Sequence, residues 1–240
     1  GDLITPADGE AIVMRRRLAA NGLVIVVLDG KGRAHVEAIG LKKEYDDGQV
    51  KALRGVDFRI NQGEFVAIVG QSGSGKSTLL HIIAGIDRPT SGECVVQKVR
   101  VTELDESALA DWRNQNVGFV FQTFNLIPVL TAYENAESVL ALQGVPASER
   151  KTRVMRLLAD VGLGGLENRR PYEMSGGQQQ RVAIARAIAS NPAVVLADEP
   201  TANVDSETAE KLLGIMARLN AERGVTFVFS THDQRVMKYA

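Results

Sequence analysis

An α/β fold, with a mainly parallel sheet flanked by helices, is what this 240-residue sequence predicts. Three observations carry it. Short apolar runs of strand length recur at 65–69, 117–121, 194–196 and 225–229, and stretches of helical character separate them. Strands joined through helices run parallel, because the crossover returns the chain to the same edge of the sheet. The first of these runs opens into a Gly-rich loop and then an apolar helix. The third ends in two adjacent acids, Asp198 and Glu199, where a parallel sheet presents its ligand crevice.

Taken in order, Thr5-Pro6-Ala7-Asp8 reads as a helix start, with proline in the first turn and a helix to about Ala20. Asn21-Gly22 reads as its stop. Leu23 to Leu28 is a β-rich run, Asp29 to Gly32 a turn, and Ala34 to Leu41 a returning strand. Residues 1–35 thus form an extension of helix, strand and turn, and residues 36–240 a second unit of longer alternation. There, Phe65 to Val69 is a strand before the Gly-rich loop. Ser148 to Val161 is a helix whose apolar side carries Val154, Leu157 and Leu158. Gly176 opens a helix through Arg181 to Ala189, and Ser206 to Glu222 forms another before the last strand.

Composition narrows the function. The single cysteine, Cys94, excludes an internal disulfide and fits a reducing compartment. A net charge of −1 supplies no field for nucleic acid, and the Arg15-Arg16-Arg17 run reads as a solvated helix face. No apolar run approaches the roughly 20 residues of a membrane span, and the opening residues lack the apolar core of a secretory signal.

The loop Gly70-Gln71-Ser72-Gly73-Ser74-Gly75-Lys76-Ser77-Thr78 is a complete G-x-x-x-x-G-K-[ST] pattern between a strand and a helix. Its glycines let successive N–H groups turn toward phosphate oxygens, and the following helix adds its positive end. Lys76 reaches the β- and γ-phosphates in this reading, and Ser77 offers a hydroxyl to Mg²⁺. The loop specifies a nucleotide phosphate and leaves open which nucleotide. Downstream, Ser175, Gly176 and Gly177 at a helix start make a second anion site.

Met174-Ser175-Gly176-Gly177-Gln178 resembles the signature sequence of ABC (ATP-binding cassette) ATPases, L-S-G-G-Q, with methionine in place of leucine. The resemblance runs from about Val36 to Ala240. Val117-Gly118-Phe119-Val120-Phe121-Gln122 and Gln178-Gln179-Gln180-Arg181-Val182-Ala183 bring it nearest to lipoprotein-release and macrolide-export ATPases, with cell-division ATPases close by. It implies a P-loop NTPase core with an antiparallel β subdomain and a helical signature subdomain. It also implies ATP and Mg²⁺ as cofactors. Asp198 then matches the family's Mg²⁺-holding aspartate and Glu199 the general base. Gln122 matches the glutamine that senses metal and attacking water, and His232 the switch histidine. Tyr45 matches the aromatic platform for adenine, for which an aromatic face is physically suited; a strand-end tyrosine with a wet hydroxyl is the competing reading. Ala202-Asn203-Val204-Asp205 matches the loop that crosses the subunit interface, with Val204 for leucine.

The resemblance further implies a head-to-tail, ATP-dependent homodimer and separate transmembrane permease subunits, with no nucleic acid partner. The chain would then sit on the cytoplasmic face of the membrane. Thr123 to Asn135 is the docking stretch in that picture. Transport and an ATP-gated regulatory or scaffold role, as in cell division, both remain open. Two features depart from the family: the chain stops at Ala240, where the family continues through another strand or two, and residues 1–35 are additional. Met14 to Arg33 faintly resembles the C-terminal region of ribonuclease J-type enzymes, without their metal-binding histidines, so no nuclease activity is implied.

Overall fold

The structure is a computed structural model that describes Arg17–Leu18, Val24–Leu28 and residues 34–232. Ten strands and six α-helices are found there: β1 (Arg17–Leu18), β2 (Val24–Leu28), β3 (Ala34–Tyr45), β4 (Val50–Asn61), β5 (Phe65–Val69), α1 (Lys76–Ile83), β6 (Ser91–Val96), β7 (Val99–Arg100), α2 (Glu106–Asn116), β8 (Val117–Val120), α3 (Ala132–Leu142), α4 (Ala147–Asp160), α5 (Gly176–Ala189), β9 (Val194–Ala197), α6 (Ser206–Arg223) and β10 (Thr226–Thr231).

They build two sheets. The larger has the order β1-β2-β5-β10-β9-β8. Four of its strands, β5, β10, β9 and β8, are mutually parallel, as the alternation of strands and helices requires. Burial alternates along each: Phe65, Ala67 and Val69 of β5 face one core, while Val66 and Ile68 face the other. The first core is closed by α3, α4, α5 and α6. The second is closed by α1, α2 and the smaller sheet. A strand buried on both faces reads as a continuous apolar run, which is why these strands were visible in the sequence.

The smaller sheet is antiparallel, ordered β4-β3-β6-β7. It is tied to the larger one by His35, buried, whose Nε2 lies 2.7 Å from the Ala193 carbonyl at the entry to β9. Cys94 sits fully inside this sheet, and burial pushes its thiol up to about 12, so it stays an apolar, protonated packing group. Among the described residues no helix is long and apolar enough to cross a membrane.

One expectation is corrected. Arg17 and Leu18, read as the end of a helix, are extended and pair antiparallel with Ile25 and Val24. The Asn-Gly pair between them, read as a helix stop, is equally a hairpin signal. The pairing is set by tertiary structure: β2 adds antiparallel to β5, from Val24 opposite Val69 to Leu28 opposite Phe65, and offers β1 an edge. The rest of the expected helix, Asp29 to Gly32 and the residues beyond His232 lie outside the described residues.

Candidate functional site

The Gly-rich loop leaves β5 at Val69 and enters α1 at Lys76. Two of its glycines have left-handed backbone, Gly73 at φ 77° and Gly75 at φ 92°. At Gly75 the need for glycine is also steric. An added Cβ would lie 2.4 Å from the Ala52 carbonyl oxygen and 2.9 Å from Leu53 of β4. The loop is therefore pressed onto the antiparallel sheet while its helix starts at the cavity.

Lys76 is buried. Its Nζ donates to the carbonyls of Gly70 and Gln71, each at 3.0 Å, and lies 3.4 Å from Glu199 Oε1. A buried ammonium is stable only when so paired. An incoming polyphosphate could take over these partners, because the loop carbonyls and Glu199 hold the cation beside the cavity. Ser77 Oγ donates to Asp198 Oδ1 at 3.0 Å. These two oxygen donors, one neutral and one anionic, are the hard ligands that Mg²⁺ takes together with phosphate oxygens. Ser74 Oγ is buried, and among the described residues it has no hydrogen-bond partner, an unmet polar atom inside the loop.

The acid pair stands at the end of β9. Asp198 is nearly buried and also accepts from Ser230 Oγ of β10 at 2.6 Å. The same Ser230 Oγ accepts the Glu199 N–H at 2.8 Å. Glu199 has φ 43°, a left-handed conformation that a glutamate adopts only when its surroundings hold it there. Its carboxylate bridges Lys76 and His232 Nδ1, the latter at 3.1 Å from Oε2. Ser230 was missed in the sequence. Its signal was a hydroxyl inside the apolar run Phe227-Val228-Phe229-Ser230.

One cavity of about 430 Å³ gathers much of this constellation. It is lined by Ser72, Gly73, Gly75, Lys76, Ser77 and Thr78 of the loop and helix start, by Gln122 and Glu199, and by Tyr45, Val50, Lys51 and Ala52 of the smaller sheet. Tyr45 and Val50 are cross-strand partners at the turn end of the β3–β4 hairpin, so both side chains reach the cavity together. Val50 carried no sequence signal beyond its type. Burial, then the Asp87 carboxylate that accepts its hydroxyl, hold the Tyr45 phenol above its ordinary value, with a Thr78 contact opposing. Gly70 is turned away from the cavity: its N–H donates to Thr231 and its carbonyl serves Lys76.

Ser175, Gly176, Gly177 and Gln178 do not line this cavity. They form the start of α5, where Ser175 Oγ accepts the Gln178 N–H and Gln178 Oε1 accepts the Ser175 N–H. The turn packs on its neighbours: a Cβ on Gly177 would meet Thr208 of α6 at 2.5 Å, and one on Gly176 would come within 3.5 Å of Asn203 O. Asn203 in turn donates to the Gln122 carbonyl at 2.7 Å. Arg186 of α5 donates to the carbonyls of Phe124 and Asn125, two residues with left-handed backbone just after Gln122.

The family model described as "ABC transporter" matches residues 53–202. An uncharacterized ABC transporter ATP-binding protein of Thermotoga maritima is 51% identical over 82% of this chain and 85% of its own length. The lipoprotein-releasing system ATP-binding protein LolD of Idiomarina loihiensis is 47% identical over 80% of this chain and 86% of its own length. Among solved structures, the dimeric post-hydrolysis state of the cassette MJ0796 bound to ADP and Pi superposes with a TM-score of 0.78 at 44% identity, over 85% of this chain and 91% of that one. The MJ0796 relative is from Methanocaldococcus jannaschii. With a phosphate loop, an acid pair at a strand end and a separate Ser-Gly-Gly helix start on this fold, the chain belongs to the ABC transporter family and is its ATP-binding, ATP-hydrolysing cassette.

Proposed function

We propose that the chain hydrolyses ATP at a site completed by a second copy of itself, and so powers a membrane transporter of the export or lipoprotein-release type. One observation carries this reading. The phosphate loop, Glu199 and Tyr45 share one cavity, whereas the Ser175–Gln178 helix start lies outside it. Two copies in head-to-tail arrangement bring the helix start of each to the phosphate loop of the other. Ser175 Oγ already accepts from its own helix, which leaves its O–H to donate to an external phosphate oxygen.

In this site Tyr45 stacks on the base and Ser72 to Thr78 surround the phosphates. Lys76 neutralises charge on the β- and γ-oxygens. Glu199 orients and deprotonates the attacking water, and the Glu199–His232 contact places a proton carrier beside it. Ser77, Asp198 and Gln122 would hold Mg²⁺. When bound, the ion supplies charge neutralisation at the transferring phosphoryl group. Donors fixed before the reaction stabilise its transition state at little reorganisation cost.

The transporter role rests on the resemblance to LolD-type subunits and on an exposed apolar surface beside Gln122. Within Thr123 to Asn135, Leu126 and Tyr133 pack onto the core and Asn135 is buried, but Ile127 and Val129 are exposed. Leu142 of α3 and Tyr172 are exposed as well. Exposed large apolar side chains are where an interaction surface is sought, here for a permease subunit that would hold the chain on the cytoplasmic face of the membrane.

Glu199→Gln tests the composite site. With ATP it should elute from size exclusion as a dimer, and without ATP as a monomer. A monomer under both conditions would overturn the reading.

A further inference from the structure

The base platform is itself held by a cluster that no motif announces. Tyr45 Oη donates to Asp87 Oδ2 at 2.6 Å. The other oxygen of Asp87 accepts from Lys43 Nζ at 2.6 Å and from the Arg88 N–H at 2.7 Å. Lys43 also donates to the Arg88 carbonyl at 2.7 Å, and its ammonium lies 4.7 Å from the centre of the Tyr45 ring. Lys43 is mostly buried here, with 14% of its side chain exposed, so the cation is fixed on one ring face.

Asp87 stands at a mechanically useful place. Its N–H, with that of Ile86, bonds to His81 O at the end of α1. The same helix begins at Lys76 in the phosphate loop. One short helix therefore carries the phosphate cradle at its start and the anchor of the base platform at its finish. The distance and angle between base and phosphates are set through Asp87.

We propose that Asp87 and Lys43 are positioning residues for nucleotide recognition. Asp87 locks the Tyr45 ring by its hydroxyl, and Lys43 covers one ring face, which leaves the opposite face as the stacking surface for the base. This inference rests on the reading of Tyr45 as the base platform. The strand itself does not depend on the cluster: Thr90 N–H donates to Lys42 O at 2.8 Å, and Thr90 Oγ1 accepts the Glu44 N–H at 2.9 Å. Burial would raise the Asp87 carboxyl, but the hydrogen bonds from Lys43, Tyr45 and Arg88 outweigh it and leave the group below its ordinary range. The anchor is thus ionised throughout the neutral range.

The test is equilibrium titration of the full chain with ADP and, separately, with pyrophosphate. The variants are Asp87→Ala, Asp87→Asn, Tyr45→Phe, the Tyr45→Phe/Asp87→Ala double and Tyr45→Ala. Asp87→Ala should weaken ADP about 3- to 10-fold, as the net worth of one intramolecular hydrogen bond implies, and leave pyrophosphate within about twofold. Tyr45→Phe should weaken ADP similarly, and the double variant should be no worse than the poorer single one. Asp87→Asn, which still offers an oxygen to the hydroxyl, should recover most of the loss. Additive losses in the double variant, or equal losses for ADP and pyrophosphate, would overturn the positioning role while leaving the platform in place. An unchanged ADP affinity in Tyr45→Ala would overturn the platform itself, and the inference with it.

Discussion

Glu199→Gln is expected to lower kcat for ATP hydrolysis by about 10²- to 10⁴-fold, the range that a positioned general base contributes. The substitution keeps shape and hydrogen-bonding reach and removes only basicity and charge. Its backbone is fixed independently of the side chain, since Ser230 Oγ accepts the Glu199 N–H and β9 is paired on both sides. The left-handed φ of 43° should therefore persist in the variant. ATP binding should persist too, because the phosphate loop is untouched and Lys76 is released from one carboxylate partner. Phosphate release under saturating ATP, set beside equilibrium ATP binding, separates the two effects. A kcat within about fivefold of the parent would remove Glu199 from the role of base.

Gly118→Ala should cost about 3 kcal/mol of stability, at the upper end of overpacking penalties. On this scale Tm falls by about 6–12 °C for a chain of this size. The reason lies between β8 and α5. A Cβ at Gly118 would sit 2.1 Å from the Ala187 carbonyl oxygen and 2.8 Å from its carbon. Both are backbone atoms, so no rotamer change relieves the clash and α5 must move off the sheet. Gly214→Ala is the matched control. It lies exposed in α6 with open space around its Cβ position, and the change should raise stability by roughly 0.5–1 kcal/mol through helix propensity. Thermal unfolding of both variants checks the pair. An unchanged Tm for Gly118→Ala would mean that the β8–α5 contact yields.

Much of this site was legible because its parts are local. The phosphate loop pattern needs eight consecutive residues, and the Asp198-Glu199 pair needs only an apolar strand before it. The parallel strands were legible because burial on both faces makes each one continuously apolar. What escaped was assembled across the chain. Ser230 joins the two acids from 31 and 32 residues away, and Asp87 reaches Tyr45 across 42. No periodicity marks such contacts. Helices α2 and α3 also went unread as elements, since each is short and buries only a few residues. The same blindness explains Arg17 and Leu18. A local stop signal suggested a helix, whereas the distant strand β5, paired with β2 from Val24 opposite Val69 to Leu28 opposite Phe65, decided the conformation.

The central claim is that two copies share each site, and mixing two inactive chains tests it most directly. Lys76→Ala removes the phosphate loop's cation, and Gly177→Asp places a carboxylate at the helix start beside Thr208. Each variant alone should hydrolyse ATP at less than about a hundredth of the parent rate, because preorganised charge stabilisation is lost at every site. In a mixed dimer one site combines the intact loop of the Gly177→Asp chain with the intact helix start of the Lys76→Ala chain. Mixing should therefore restore a measurable fraction of the parent phosphate-release rate, greatest near equal proportions. Mixtures that stay as inactive as their components, or a Gly177→Asp chain that is fully active alone, would contradict a site built from two copies.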